Sequence, residues 1–173
     1  MDLKKYIREV PDFPKPGIGF KDISPLLADG PAFRFAVNEL ASHFKQGDID
    51  KLVGIESRGF LVGAPLAYAM NVGIALVRKP GKLPGCVERI HYELEYGTDA
   101  LEIHQDAIEP GAKVLIVDDV LATGGTMSAT AQLVRKLGGV IAGFAFLLEL
   151  DALKGRERLG ELGNTRIVSL IHY

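Results

Sequence analysis

A cluster of acidic, hydroxyl-bearing and glycine residues follows an apolar run in the second half of the chain. The run Val114–Val117 leads into Asp118 and Asp119, and the loop after them carries Ala122, Thr123, Gly124, Gly125 and Thr126. Glycines permit positive φ and close backbone approach, and loop N–H groups, hydroxyls and a helix N-terminus favour an anion. Carboxylates accept hydrogen bonds from sugar hydroxyls or support a metal-bound water. The segment therefore predicts a phosphate site beside a carboxylate pair.

Other loop motifs fit this segment less well. It lacks the lysine that follows the glycines in a Walker loop, and it lacks the three-glycine dinucleotide fingerprint. A plain helix cap after a strand is the simplest alternative, but a cap needs only one Ser, Thr or Asp. Two acids, two glycines and two threonines together favour a ligand site.

The elements that must position this site alternate along the chain. Apolar runs predict strands and 3.6-residue periodicity predicts helices. The predicted strands are Leu52–Ile55, Gly73–Val77, Val114–Val117, Val140–Leu148 and an edge strand at Arg166–Ile171, and the helices between them are Gly59–Met70 and Gly125–Leu137. Strands that are apolar on both faces suit a mostly parallel sheet covered by helices on both sides, an α/β fold. Ligands bind such sheets beyond the carboxyl ends of the strands.

The N-terminal part of the chain predicts two further helices. Leu3, Ile7 and Val10 lie on one helical stripe, so we expect a helix over Asp2–Val10 that the proline-rich segment after it ends. A second helix is expected to begin at Asp29-Gly30-Pro31 and to be closed by Gly47.

The stretch Arg78–Glu109 interrupts the alternation. A connection of this length is unusual in a compact domain and is typical of a lid or flap. We expect a strand pair within it, Ile90–Tyr96 with Asp99–His104, turned at Gly97-Thr98.

Composition excludes several classes of protein. The chain has 173 residues, 47% of them hydrophobic, and 20 Lys and Arg nearly balance 22 Asp and Glu. That balance gives no overall positive field for a nucleic acid. A lone Cys86 excludes an internal disulfide, and four scattered histidines show no metal-ligand spacing. Since no apolar run approaches the ~20 residues that span a bilayer, we expect no membrane association and a soluble cytoplasmic protein.

The segment Asp118–Thr126 resembles the phosphoribosyl pyrophosphate (PRPP) motif of the type I phosphoribosyltransferases. Three further segments narrow the resemblance to the adenine phosphoribosyltransferases over nearly the whole chain. They are Pro11–Leu27, Glu56–Phe60, and Arg78–Pro84 continuing to Tyr92–Thr98.

The resemblance implies which residues bind PRPP. Asp118 and Asp119 would take the ribose 2′- and 3′-hydroxyls, and Ala122–Thr126 would bind the 5′-phosphate. Pyrophosphate would contact Glu56, Ser57, Arg58 and Gly59, together with Arg78, Lys79 and Lys82 of the flap, some of them across a subunit interface. Without the resemblance, Arg58 reads as a surface arginine in a turn and Lys82 as part of a solvated charge run.

The resemblance also implies a base pocket. Phe20 would stack on the purine, with Arg58 nearby and backbone groups of Gly19 and Val120 reading its edge. Glu95 would hold or relay a proton on the purine, and Tyr96 would close over the site. The family usually has a larger apolar residue where Gly19 stands, so one wall of this pocket is softened. Core filling is the alternative role for Phe20.

The implied protein is a homodimer that uses Mg²⁺ to convert adenine and PRPP to AMP and pyrophosphate in purine salvage. Residues 1–173 would form one domain, with a hood or arm at 1–27, a flap at 78–109 and the PRPP-binding strand, loop and helix at 114–137. The metal would be held mainly by PRPP oxygens and water rather than by direct protein ligands.

Two alternative functions remain open. A phosphoribosyltransferase for hypoxanthine, guanine or xanthine would share the PRPP machinery but would place a donor over the 6-oxo group. A PRPP-sensing regulator without catalysis would need a basic nucleic-acid-binding element.

Overall fold

A five-stranded parallel sheet organises the chain. The structure, a computed structural model, describes residues 1–45, 47–93, 98–163 and 165–173. The strands of the sheet are β3 (Lys51–Ile55), β4 (Gly73–Val77), β7 (Lys113–Leu121), β8 (Val140–Glu149) and β9 (Arg166–His172), in the order β4-β3-β7-β8-β9. The predicted α/β class and the edge position of the last strand are confirmed.

Helices cover both faces of this sheet. They are α1 (Ser24–Ala28), α2 (Gly30–Ser42), α3 (Arg58–Met70), α4 (Gly125–Lys136) and α5 (Gly155–Gly160). Leu115 and Val117 of β7 pack in a core with α2 and α3, whereas Val114 and Ile116 pack in a second core with α4. Successive side chains of a strand point to opposite faces, which is why these runs are apolar throughout.

The prediction of a helix over Asp2–Val10 is wrong beyond its first turn. Leu3–Tyr6 forms a 3₁₀ helix, and β1 (Arg8–Val10) then pairs antiparallel with β2 (Phe20–Asp22). Leu3 and Ile7 are buried as the stripe requires, but ion pairs from Arg8 to Asp22 and from Lys21 to Glu9 hold the strands together. The long-range pairing overrides the local helical pattern. The second helix does start as predicted, because the Asp29 carboxylate accepts the Ala32 N–H at 2.8 Å.

The interruption between β4 and β7 contains an antiparallel hairpin. Strands β5 (Val87–Glu93) and β6 (Thr98–His104) pair with Tyr92 opposite Asp99 and Glu93 opposite Thr98. The predicted turn at Gly97-Thr98 is therefore wrong at Thr98, which is already paired. Leu101 and Ile103 join the core on the α4 side, so the hairpin base is packed against the body of the fold.

Strand β7 is longer than its apolar run. Asp118 pairs with Phe146 and Val120 with Leu148, so the acids lie within the strand and not after it. Pairing with β8 extends the strand because backbone ladder bonds do not depend on side-chain polarity. Among the described residues, no helix combines the length and apolar character needed to cross a membrane.

Candidate active site

The loop between β7 and α4 forms a small anion-sized cavity. The cavity has a volume of about 80 Å³ and is lined by Asp118 and by residues 120–127. The first N–H groups of α4 lack partners within the helix, and none of the described side chains caps it. Two larger grooves, of about 440 and 580 Å³, contain none of these residues. The loop cavity is therefore the place where backbone donors converge, and it suits a phosphate group.

Close backbone packing explains the glycines of this loop. Gly124 has φ of 78°, and a Cβ there would lie 3.0 Å from the Gly155 carbonyl oxygen. A Cβ on Gly155 would lie only 2.2 Å from the Ala122 carbonyl oxygen. The start of α5 thus supports the outer side of the loop.

The two acids of β7 differ in their surroundings. Asp119 is buried, and its Oδ2 accepts a hydrogen bond from Arg58 Nε at 2.5 Å. Asp118 is half-buried beside the cavity, and its Oδ1 accepts the Asp119 N–H at 2.9 Å. Burial, followed by the charge of Asp119, raises the pKa of Asp118 well above the usual carboxyl value. Of the pair, only Asp118 lines the loop cavity.

Arg58 connects the acid pair to the N-terminal arm. It begins α3, and its guanidinium carbon lies 5.5 Å from the ring centroid of Phe20 in β2. Burial lowers the pKa of Arg58, but the hydrogen bond and charge of Asp119 outweigh it, so the net pKa is raised. Phe20 is half-buried, and a Cβ on the neighbouring Gly19 would meet nothing within 4 Å. Arg58 therefore covers part of the Phe20 ring, and the space beside the ring at Gly19 is open.

The turn after β3 is shaped by contact with β7. The peptide bond between Glu56 and Ser57 is cis. A Cβ on Gly59 would lie 2.8 Å from Asp118 Oδ1 and 3.1 Å from the Val117 carbonyl oxygen. Gly59 is therefore required by the approach of α3 to the strand, independently of any ligand.

Glu56 points away from an open anion site and toward the flap. Its Oε2 accepts from Arg78 Nε at 3.1 Å and from the Lys79 N–H at 2.8 Å. The side chain thus fixes the start of the flap, and its carboxylate is poorly suited to touch pyrophosphate itself.

A second carboxylate, Glu102 of β6, holds the same segment. It is buried, accepts the Gly81 N–H at 2.9 Å and pairs with Arg89. The hydrogen bond from Arg89 lowers the pKa of Glu102 despite burial. The exposed Lys82 projects from the turn that these contacts stabilise.

Two basic side chains at the start of the flap already have anionic partners. Arg78 is paired with Glu56, and Lys79 Nζ is paired with Asp99 Oδ2. The Tyr92 hydroxyl reaches the same Asp99 oxygen and also Thr126 Oγ1, each at 3.4 Å. Glu95 and Tyr96 lie outside the described residues.

Sequence reasoning missed four residues of this region: Tyr92, Asp99, Glu102 and Arg158. Arg158 Nη1 lies 3.3 Å from the point where a Cβ of Gly125 would stand, at the N-terminus of α4. The hairpin register would have revealed Tyr92 and Asp99, because these residues are paired across it. No local pattern marks Arg158, because only packing of α5 on the loop brings it there.

One group of potential metal ligands lies away from the loop among the described residues. Glu149, Asp151 and His172 can place their ligand atoms within 4.8 Å of one another. Glu149 is already bonded to Arg156 at 2.5 Å and to Ser169 at 2.7 Å. The group is therefore best described as an ion-pair network.

Comparison with known proteins places this geometry in a family. Residues 26–161 match the phosphoribosyl transferase domain. Adenine phosphoribosyltransferase of Acidobacterium capsulatum is 57% identical over 99% of this chain and 93% of its own length. The crystal structure of the Thermoanaerobacter pseudethanolicus adenine phosphoribosyltransferase has a TM-score of 0.94 at 52% identity, covering 99% of this chain and 98% of that one.

A third relative carries ligands. The Saccharomyces cerevisiae adenine phosphoribosyltransferase, solved with an imino-altritol bisphosphate and adenine, has a TM-score of 0.89 at 41% identity. It covers 98% of this chain and 96% of its own. The fold that the sequence resemblance implied is confirmed. With matches of this extent, the chain belongs to the phosphoribosyl transferase domain family and, within it, to the adenine phosphoribosyltransferases.

Proposed function

We propose that the chain transfers the phosphoribosyl group of PRPP to adenine, forming AMP and pyrophosphate in purine salvage. The observation that carries this proposal is the junction at Arg58. Its guanidinium bonds Asp119 of the acid pair and lies over the ring of Phe20. The side chain of Arg58 therefore lies next to the candidate contacts for the sugar, the leaving group and the base. The names of the relatives support adenine as the base.

Ribose 5-phosphate would lie along the carboxyl end of β7. The N–H groups of the loop and the hydroxyls of Thr123 and Thr126 would donate to the 5′-phosphate. Asp118 and Asp119 would accept from the ribose hydroxyls, and such hydrogen bonds favour the ionised carboxylate. The loop is already shaped for this because Gly155 and α5 support it from behind.

The reaction breaks the bond between C1 of the sugar and the pyrophosphate oxygen, and it forms a bond from C1 to a purine nitrogen, which loses its proton. Charge develops on the departing pyrophosphate, so fixed positive groups lower the barrier. Arg58 and the N–H groups at Ser57 and Gly59 would serve there. Arg78, Lys79 and Lys82 would contribute if ligand draws Arg78 and Lys79 from their present carboxylates. Glu56 would act by positioning Arg78.

The purine would stack on Phe20, with backbone groups of Gly19 and Val120 reading its edge and Arg58 beside it. Glu95 would hold or relay the proton of the attacking nitrogen, and Tyr96 would close over the site. A lid that excludes water protects PRPP from unproductive hydrolysis.

Mg²⁺ fits the acid pair through water better than through direct bonds. Asp119 is occupied by Arg58, and the pKa of Asp118 is raised, so the two carboxylates do not form an anionic cage. Asp118 can accept a hydrogen bond from a metal-bound water. When bound to PRPP, Mg²⁺ supplies positive charge to the leaving group.

We also propose a homodimer that forms through α3 and the open edge strand β4. Leu61 and Tyr68 of α3 and Leu76 of β4 are large exposed apolar residues, with Tyr68 89% exposed. Among the described residues β4 pairs only with β3, and the antiparallel bridge of Arg78 with Glu102 follows it directly. Native proteins usually cover such an edge. Arg78 follows β4 directly, so a partner there would lie close to the flap.

The function is tested by product formation from PRPP and Mg²⁺ with adenine, guanine, hypoxanthine and xanthine offered separately, followed by chromatography. We expect AMP from adenine and no nucleotide from the other bases. Turnover of a 6-oxopurine would reject the base assignment and show that the space at Gly19 admits other purines. PRPP binding without turnover of any base would favour a regulator.

A further inference from the structure

The hydroxyl of Tyr92, in the flap, reaches a residue that lines the cavity after β7. Its hydroxyl is 3.4 Å from Thr126 Oγ1, and Thr126 lines that cavity on the second residue of α4. Its ring packs against the core on the α4 side, so the position of the hydroxyl is set by buried contacts. We propose that the Tyr92 hydroxyl donates to the 5′-phosphate of PRPP and AMP. The inference rests on the proposed function.

The present partners of this hydroxyl favour a transfer of its hydrogen bond. Tyr92 has one proton, which now points to Asp99 Oδ2 over 3.4 Å, near the long limit for a hydrogen bond. The same oxygen pairs with Lys79, while Asp99 Oδ1 accepts the Ala100 N–H at 2.8 Å. Since Asp99 keeps the Ala100 N–H bond even when ligand draws Lys79 away, a phosphate oxygen can take the Tyr92 proton without leaving the carboxylate unpaired.

The geometry gives the flap a second role besides covering the base. A donor on β5 aimed at the loop ties hairpin position to the phosphate end of the substrate. The phosphate would then be contacted from two elements, the loop with α4 on one side and the hairpin on the other. A ligand with a 5′-phosphate would therefore hold the C-terminal end of β5 in place.

The test compares ligands that carry or lack the 5′-phosphate, using Tyr92→Phe. The variant keeps the packed ring and removes only the hydroxyl. By titration calorimetry we expect AMP and ribose 5-phosphate to bind about 10-fold more weakly, the loss typical of one hydrogen bond to a charged group. Adenine and Mg²⁺-pyrophosphate should bind as they do to the unaltered enzyme.

The matched control is Tyr6→Phe, which removes a hydroxyl from another half-buried tyrosine, in the N-terminal 3₁₀ helix. AMP affinity unchanged in Tyr92→Phe would overturn the inference, and so would equal weakening of all four ligands, which indicates a general disturbance of the flap. Failure of the unaltered enzyme to form AMP would instead reject the proposed function.

Discussion

The two ends of the proposed PRPP site are built differently. The phosphate end is one contiguous segment, Asp118–Thr126, in which backbone N–H groups are fixed by a helix and supported by Gly155. The pyrophosphate end is assembled from side chains that follow β3 and β4 and from the hairpin, and two of its cations, Arg78 and Lys79, are paired with the protein's own carboxylates. Among the described residues no side chain accepts from the N–H groups of residues 122–126, whereas Arg78 and Lys79 must exchange one anion for another. PRPP affinity should thus depend on fixed backbone geometry at the phosphate end, called here the prebuilt end. At the pyrophosphate end, called the exchange end, it should depend on the exchange of ion pairs.

The largest effect should come from the carboxylate pair at the prebuilt end. In Asp118→Asn with Asp119→Asn, PRPP should bind about 100-fold more weakly or worse, because two charge-assisted hydrogen bonds to ribose are lost. Thermal melting should show a folded protein. Asp2→Asn with Asp106→Asn removes the same charge from two exposed positions and is the control. Unchanged PRPP affinity in the folded double variant would contradict the assignment of these acids to the ribose hydroxyls.

Glu56→Gln tests the exchange end. The amide keeps the size of the side chain but loses the charge that holds Arg78 and the Lys79 N–H. We expect Mg²⁺-pyrophosphate affinity to rise by about 10-fold, because Arg78 no longer has to leave a carboxylate. AMP affinity should stay within twofold, since AMP lacks the pyrophosphate. Glu109→Gln, at an exposed position, is the matched control. Equal effects on both ligands would show that the two ends are not independent.

Arg158→Gln tests whether a side-chain charge also contributes to PRPP binding at the prebuilt end. A cation near a helix N-terminus is unfavourable in the empty protein and becomes favourable when an anion binds there. PRPP affinity should fall by about threefold to fivefold at low salt, with a smaller difference at high salt. Arg34→Gln, an exposed arginine on α2, should leave affinity unchanged. A salt-independent loss would contradict an electrostatic role.

The smallest effect concerns protons at Asp118. Its pKa is raised in the empty protein, while ribose hydroxyls favour the carboxylate, so PRPP binding should release up to one proton. Affinity should rise with pH until the pKa of the empty enzyme is passed. Calorimetry in buffers of different ionisation enthalpy measures this release, and PRPP binding to Asp118→Asn measures the protons that come from the ligand itself. Equal proton release in both proteins would exclude Asp118 as the source.

The loop between β7 and α4 and the central sheet could be predicted because their signals are local. An apolar run, two acids and a glycine-rich helix start are contiguous, and each residue's role depends on neighbours in sequence. The starts of α2 and α4 could be predicted for the same reason, because their start signals are local. The stripe of Leu3, Ile7 and Val10 predicted a helix that does not continue beyond Tyr6. Pairing of β1 with β2 decided the outcome there.

The sequence by itself determined the α/β class, the position of the glycine-rich loop before α4 and the family resemblance. Tertiary structure decided which charges meet: Arg58 with Asp119, Glu56 with Arg78, Asp99 with Lys79 and Tyr92, and Arg158 with the loop. These partners come from separate strands and helices. Such contacts depend on sheet order and hairpin register, which long-range packing selects and local periodicity does not encode.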